Sequence, residues 1–219
     1  MNYDEFLKKL TQYQELYDKG LKKQANAHLR SFMVKFDKVN GELKDKIWLE
    51  FCLNLYDICD FAHKILKSRG NGELPYEINL RLHEYLVRNT QEGKMPHLRW
   101  FYELVHDEDA LNKAYAHELC DEQTIMLVFS RHIYNLYWWS HHLPDSCLSD
   151  KSRIENEIAA CEKMILRHDI DILQRREFEY YKKLYEIWFS YNITKDGNFE
   201  KFCNDRGLSF YKEKIYSYE

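Results

Sequence analysis

Breaks are rare in this sequence, and that rarity constrains the fold more than any other feature. Across 219 residues there are 7 glycines and 3 prolines. So few breaks require long uninterrupted elements, and long elements carrying mixed charge are helices rather than strands. Val, Ile and Thr nowhere cluster in period-two runs, so no alternating strand is expected. Hydrophobic residues make up 45% of the chain and charged residues 31%, which suits a buried core under a solvated surface. The expectation is an all-α protein of about nine or ten helices in antiparallel hairpins.

Caps and apolar stripes place the helices. Asn2 with Glu5 forms a capping box for a first helix from Tyr3 to Lys19, whose stripe is Phe6, Leu10, Tyr13 and Tyr17 and whose stop is Gly20. Ala25, Leu29, Phe32 and Phe36 mark a second helix ending at Asn40-Gly41. Ile47, Trp48, Phe51, Leu55, Ile58, Ala62 and Ile65 mark a long third helix ending at Arg69-Gly70. Ile78, Leu82, Tyr85 and Leu86 define the next, up to Glu92-Gly93, and Pro96 opens a short helix through His106. Asp107-Glu108-Asp109 opens another, and Asp121 caps a long helix that runs to Leu143-Pro144. Ser152 with Glu155 is read as the capping box of the helix bearing Ile154, Ile158, Cys161 and Ile165. A further helix from about Asp171 turns Leu184, Tyr185, Trp188 and Phe189 inward. A short helical tail with Phe199, Phe202 and Cys203 comes last, broken at Gly207.

The length suits one helical domain over 1–219, with Gly70 to Pro75 as a possible lobe boundary. Two architectures satisfy the short loops, a closed multi-helix bundle and an open array of hairpins. For the array, the segment Leu16 to Ala25 resembles one hairpin of the tetratricopeptide repeat, with Gly20 as the turn glycine and Ala25 as the close-packing alanine. The resemblance covers that hairpin, and no second copy occurs at a period of about 34 residues.

Composition narrows function by exclusion. The formal net charge is −4, against the basic excess that phosphate neutralisation asks of a nucleic-acid binder. The first residues lack the basic and apolar regions of a signal peptide, and no stretch approaches a membrane span, so a cytoplasmic, non-membrane protein is expected. The six cysteines (Cys52, Cys59, Cys120, Cys147, Cys161, Cys203) are scattered without close-set pairs and read as reduced thiols.

No catalytic motif emerges. Asp60 with His63 and Glu103 with His106 have the carboxylate-x-x-His spacing that helical di-iron sites use, with Glu15 and Glu84 as further ligands in chain order. Chance alone gives about 1.6 such pairs in this composition. His141-His142 with Cys147, and His117 with Asp121, lack an ordered zinc spacing. No Gly-x-Ser-x-Gly and no phosphate-binding glycine loop occurs. The tail, tested as a helix-turn-helix about Gly207, puts Arg206 and Glu213 where apolar residues belong. No cofactor and no metal is expected.

The segment from Arg131 to Pro144 is the richest in the chain. Its rings occupy more than one helix face, so Tyr134, Trp138 and Trp139 cannot all share the stripe of Phe129, Ile133, Leu136 and Tyr137 unless the helix is central. Arg131, Tyr134, Trp138, Trp139, His141 and His142 are the candidate partner-binding residues. The acidic residues Glu103, Asp107, Glu108, Asp109, Glu118, Asp121 and Glu122 read as caps and solvated positions, or as a face favouring a basic partner. The first reading is therefore a non-enzymatic interaction or regulatory protein with a protein or peptide partner. A His/carboxylate-dependent enzyme is second, and a nucleic-acid accessory protein third.

Overall fold

The computed structural model describes residues 1–58, 74–194 and 197–210. Helix covers 76% of these, in ten α-helices and one π-helical turn, and no strand occurs among them. The chain divides into two compact units, Met1–Leu119 and Cys120–Glu219. Of the expected boundary segment, residues 70–73 lie outside the described residues. Among the described residues no helix is long and apolar enough to cross a membrane.

The first unit contains α1 (Tyr3–Asp18), α2 (Lys22–Phe36), α3 (Gly41–Cys52), α4 (Tyr76–Gln91), α5 (His97–Val105) and α6 (Glu108–Ala116). The Asn2/Glu5 capping box is formed in full. At the other end of α1, Gly20 has φ +76. The Gly20 N–H donates to the Tyr17 carbonyl and the Leu21 N–H to that of Leu16, the paired bonds of a Schellman stop. Helices α1 and α2 pack together across this turn, and Ala25 is fully buried. Helix α2 stops at Phe36, short of the expected Asn40-Gly41 break, because Asn40 caps α3 by accepting from the Glu42 N–H. Helix α1 also packs on α3, and α4 packs on both α2 and α3. Phe6, Phe32, Phe36, Trp48 and Phe51 meet in the shared core.

The long third helix is shorter than its stripe suggests. It leaves α geometry at Cys52 and makes a π-helical turn, Leu53–Asp57, in which the Ile58 N–H donates to the Leu53 carbonyl. The wider turn rotates the residues beyond it off the 3.6-residue stripe. Leu55 is half-buried as a result and Ile58 is 63% exposed, while Ala62 and Ile65 lie outside the described residues. The turn delivers Asp57 to α5. Its Oδ1 accepts from Arg99 Nη2 at 2.6 Å and from Trp100 Nε1 at 3.1 Å, and Arg99, only 2% exposed, also donates to Glu103 at 2.8 Å.

The second unit contains α7 (Glu122–Ser140), α8 (Lys151–Arg167), α9 (Ile172–Thr194) and α10 (Phe199–Asn204). Helices α7, α8 and α9 each pack on the other two, and α10 packs on α9. Phe129 and Phe178 cross edge to face in the core, and the Tyr185 hydroxyl donates to the Leu136 carbonyl at 2.7 Å. The start of α8 differs from expectation. Asp150 is its cap, accepting from the Arg153 N–H at 2.9 Å, and Ser152 is exposed inside the first turn. A carboxylate at the cap adds a favourable interaction with the helix dipole that a serine hydroxyl lacks.

Asp121 caps α7, accepting from both the N–H and the hydroxyl of the fully buried Thr124. Asp121→Ala is expected to lower the unfolding free energy by about 1–2 kcal/mol. Urea denaturation followed by circular dichroism measures this, and an unchanged midpoint would mean the cap adds nothing.

Candidate functional site

The segment from Arg131 to Pro144 forms the C-terminal half of α7 and the turn after it. Because α7 packs on both α8 and α9, its circumference divides into distinct arcs. Phe129, Ile133, Leu136 and Ser140 are buried in the core arc.

A second arc meets α8. His132 Nδ1 hydrogen-bonds Glu157 Oε1 at 3.0 Å, and Asn135 Nδ2 donates to the same oxygen at 2.6 Å. Burial pushes the Glu157 carboxyl up, but those two hydrogen bonds and the nearby His132 and Arg131 charges outweigh it, leaving Glu157 below the ordinary carboxylate range. Trp139 belongs to this side. The Arg153 guanidinium lies 5.6 Å from its ring centroid, and its carbonyl accepts from the Leu148 N–H and the Cys147 thiol.

The third arc faces outward. Tyr134 and Trp138 stack at 18°, with centroids 6.4 Å apart, while remaining 57% and 48% exposed. His141 continues the line, with its ring 4.6 Å from that of Trp138 and 4.0 Å from that of His142. A bond of 2.6 Å from His141 Nδ1 to the Trp138 carbonyl holds this end of the row. Of the six candidates, Tyr134, Trp138, His141 and His142 thus form one row, whereas Arg131 and Trp139 act toward α8.

Beside the row lies a cleft of about 240 Å³. Tyr137 and Ser140 of α7 with its C-cap His141 form one wall, Tyr180, Tyr181 and Leu184 of α9 the other, with Phe210 completing it. The Tyr137 and Tyr181 rings meet edge to face at 6.3 Å. Among the described residues no acidic, lysine or arginine side chain lines it. The α9 tyrosines are hard to single out in the sequence because they sit among Glu177, Glu179, Lys182 and Lys183, a run that reads as a solvated face. The spacing of Tyr180 and Tyr181 to Leu184 was the available signal. Also unanticipated are three exposed apolar residues about the α8–α9 connection, Leu166 (87%), Ile172 and Leu173.

Of the two carboxylate–histidine pairs, only Glu103 and His106 fall among the described residues. Asp60 and His63 lie outside the described residues. Glu103 is engaged by Arg99, and His106 is the left-handed C-cap of α5 with its ring on Tyr102. His117 Nδ1 accepts from the Leu119 N–H, closing the end of α6. Among the described residues no group of three or more His, Cys, Asp or Glu is placed to hold a metal ion. In the acidic run, Asp107 and Asp121 are caps and Asp109 pairs with Lys113. The tail forms α10 and a turn at Gly207, φ +69, but Glu213 lies outside the described residues.

In comparison with known proteins, no family model, no curated protein and no solved structure matches this chain.

Proposed function

We propose that the protein is a non-enzymatic helical interaction protein that binds a protein or peptide partner through the outward row of α7. The observation that supports this is the stacked Tyr134–Trp138 pair, half exposed on a helix that also packs on α8 and α9. Large rings with polar tips are the side chains that most often dominate binding energy when a partner covers them. His141 and His142 extend the row, and Arg131 and Trp139 support it from the α8 side. A cytoplasmic location belongs with this reading and is supported by the scattered cysteine spacing and the free thiols of Cys52, Cys120, Cys147, Cys161 and Cys203. The acidic balance favours a protein over a nucleic acid as partner.

The test pairs two substitutions. Trp138→Ala is expected to weaken a partner identified by affinity purification, and then measured as a purified protein, by at least about tenfold with the melting temperature unchanged. Trp139→Ala is expected to lower stability by about 1–2 kcal/mol, because it removes a half-buried ring and its Arg153 contact. A partner that binds the Trp138→Ala and Tyr134→Ala proteins as tightly as the parent would sink the reading.

A further inference from the structure

We infer that the exposed face of α2 docks an acidic segment of a protein partner. The inference stands apart from the α7 row, which belongs to the other unit.

Charge is the first argument. Between Asp18 and Asp37 the chain carries five cations, Lys19, Lys22, Lys23, Arg30 and Lys35, and no carboxylate, although its net charge is −4. Cations on a helix surface are commonly met by carboxylates one turn away. Here, among the described residues, Lys19, Lys23 and Lys35 form no ion pair. Lys22 lies 5.5 Å from the centroid of the Tyr17 ring. Arg30, with its side chain 72% exposed, reaches Glu77 at 3.4 Å, a surface contact that contributes little. The positive field of α2 is therefore left for a partner to answer, and opposite charge speeds encounter and fixes register.

Placement is the second. Leu29, Phe32 and Phe36 turn the apolar side of α2 into the core. Lys23, Ala27, Arg30 and Val34 follow one another at helical spacing on the opposite side, and all four are exposed. Lys23 and Arg30 are two turns apart, about 10.5 Å along the axis, and Val34 lies one turn further. A segment with carboxylates at that separation and an apolar residue beyond them meets all three side chains together.

The third argument chooses among acidic partners. Duplex DNA carries one charge per about 1.7 Å along its whole length. The cationic run is no longer than α2, and the rest of the chain is more acidic than the whole, so a long polyanion meets repulsion beyond it. An anionic bilayer retains a helix that lays an apolar face into it. That face of α2 is spent on the core. A short acidic peptide segment has neither difficulty.

The test titrates the full chain with terminally blocked decaglutamate, its glutamine counterpart, a short DNA duplex and phosphatidylserine vesicles, read by calorimetry. The expected result is saturable binding of decaglutamate, none of the glutamine peptide, and weakening as salt rises from about 50 to 500 mM. Lys23→Glu/Lys35→Glu should weaken binding at least tenfold. Lys163→Glu/Arg167→Glu, which makes the same change in net charge on exposed residues of α8, should leave it within about twofold of the parent. Lys23→Gln/Lys35→Gln keeps the test open if the double reversal misfolds. Absence of saturable decaglutamate binding overturns the inference, and so does equal weakening by the two reversals, which would tie binding to net charge alone. Tighter binding of the duplex or of the vesicles, lost in the α2 reversal, assigns the face to that partner and overturns it as well. A partner lost in Trp138→Ala bears on the α7 row only, so the two readings fail separately.

Discussion

Truncating Phe6 to alanine is expected to lower the unfolding free energy by about 3–5 kcal/mol. Phe6 is fully buried, and its ring lies 5.6 Å from Phe32, 5.2 Å from Phe36, 5.5 Å from Trp48 and 5.7 Å from Phe51. Those four rings belong to α2 and α3, so three helices border the cavity that the truncation leaves. Aromatic rings fixed on separate helices cannot collapse together into the space, which puts the loss at the upper end of the range for such changes. Each tilted or edge-to-face pair contributes a further fraction of about 0.5–1.5 kcal/mol beyond its burial. Phe6→Leu retains most of the volume and should lose about 1–2 kcal/mol. Urea denaturation followed by circular dichroism checks both. A loss below about 1 kcal/mol for the alanine variant would show that this cluster does not hold the first unit together.

Acid should weaken the same unit through His97. This imidazole is buried on α5, its Nε2 shares a hydrogen bond of 2.8 Å with the Tyr85 hydroxyl, and Nδ1 has no partner among the described residues. Burial, and secondarily the Lys94 charge, push it down from about 6.5 to about 4, against the opposing pull of Asp45 and Glu92. The folded protein therefore holds the neutral ring where the unfolded chain would bind a proton. The contribution is complete above pH 6.5 and is lost as pH falls through 4, reaching roughly 3 kcal/mol. About 2 kcal/mol of it should be gone at pH 5. Carboxylates and other histidines titrate nearby, so the readout is the difference between the parent and His97→Gln. The glutamine keeps an amide beside Tyr85 and cannot titrate. Parallel stability curves for the two proteins from pH 7 to pH 4.5 would refute the role.

Much of the helical framework was legible because its signals are local. The Asn2/Glu5 box, the Gly20 stop, the Asp107 and Asp121 caps and the stripe of Ile78, Leu82, Tyr85 and Leu86 depend only on residues within a turn or two. The π-helical turn was not legible, because Leu55 and Ile58 continue the α stripe faithfully. What competes with that stripe is the pull on Asp57 from Arg99 and Trp100, more than forty residues away in sequence. Asp150 and Ser152 both sit before the same apolar run, so the sequence alone does not separate the true cap from its neighbour. At the candidate site, periodicity correctly implied that α7's rings could not share one face. Which ring goes where depends on the positions of α8 and α9, so the separation of Trp139 from Trp138, and the place of Tyr181 in the cleft wall, became visible only with the helices packed.

The π-helical turn also bears on how this chain can change length over generations. A π turn holds one residue more than the α geometry it replaces, so Leu53–Asp57 has the form of a single-residue insertion absorbed in place. Deleting one residue of 53–56 would draw the turn back toward α geometry and shift Asp57 relative to the buried Arg99 and the Trp100 indole that it now meets. The gain of one ladder bond would be set against a buried guanidinium stripped of one of its carboxylates. The insertion is thus retained by its partner on α5, and substitutions at Arg99 and deletions in 53–57 become linked events: a lineage that loses the arginine is also released from keeping the extra residue.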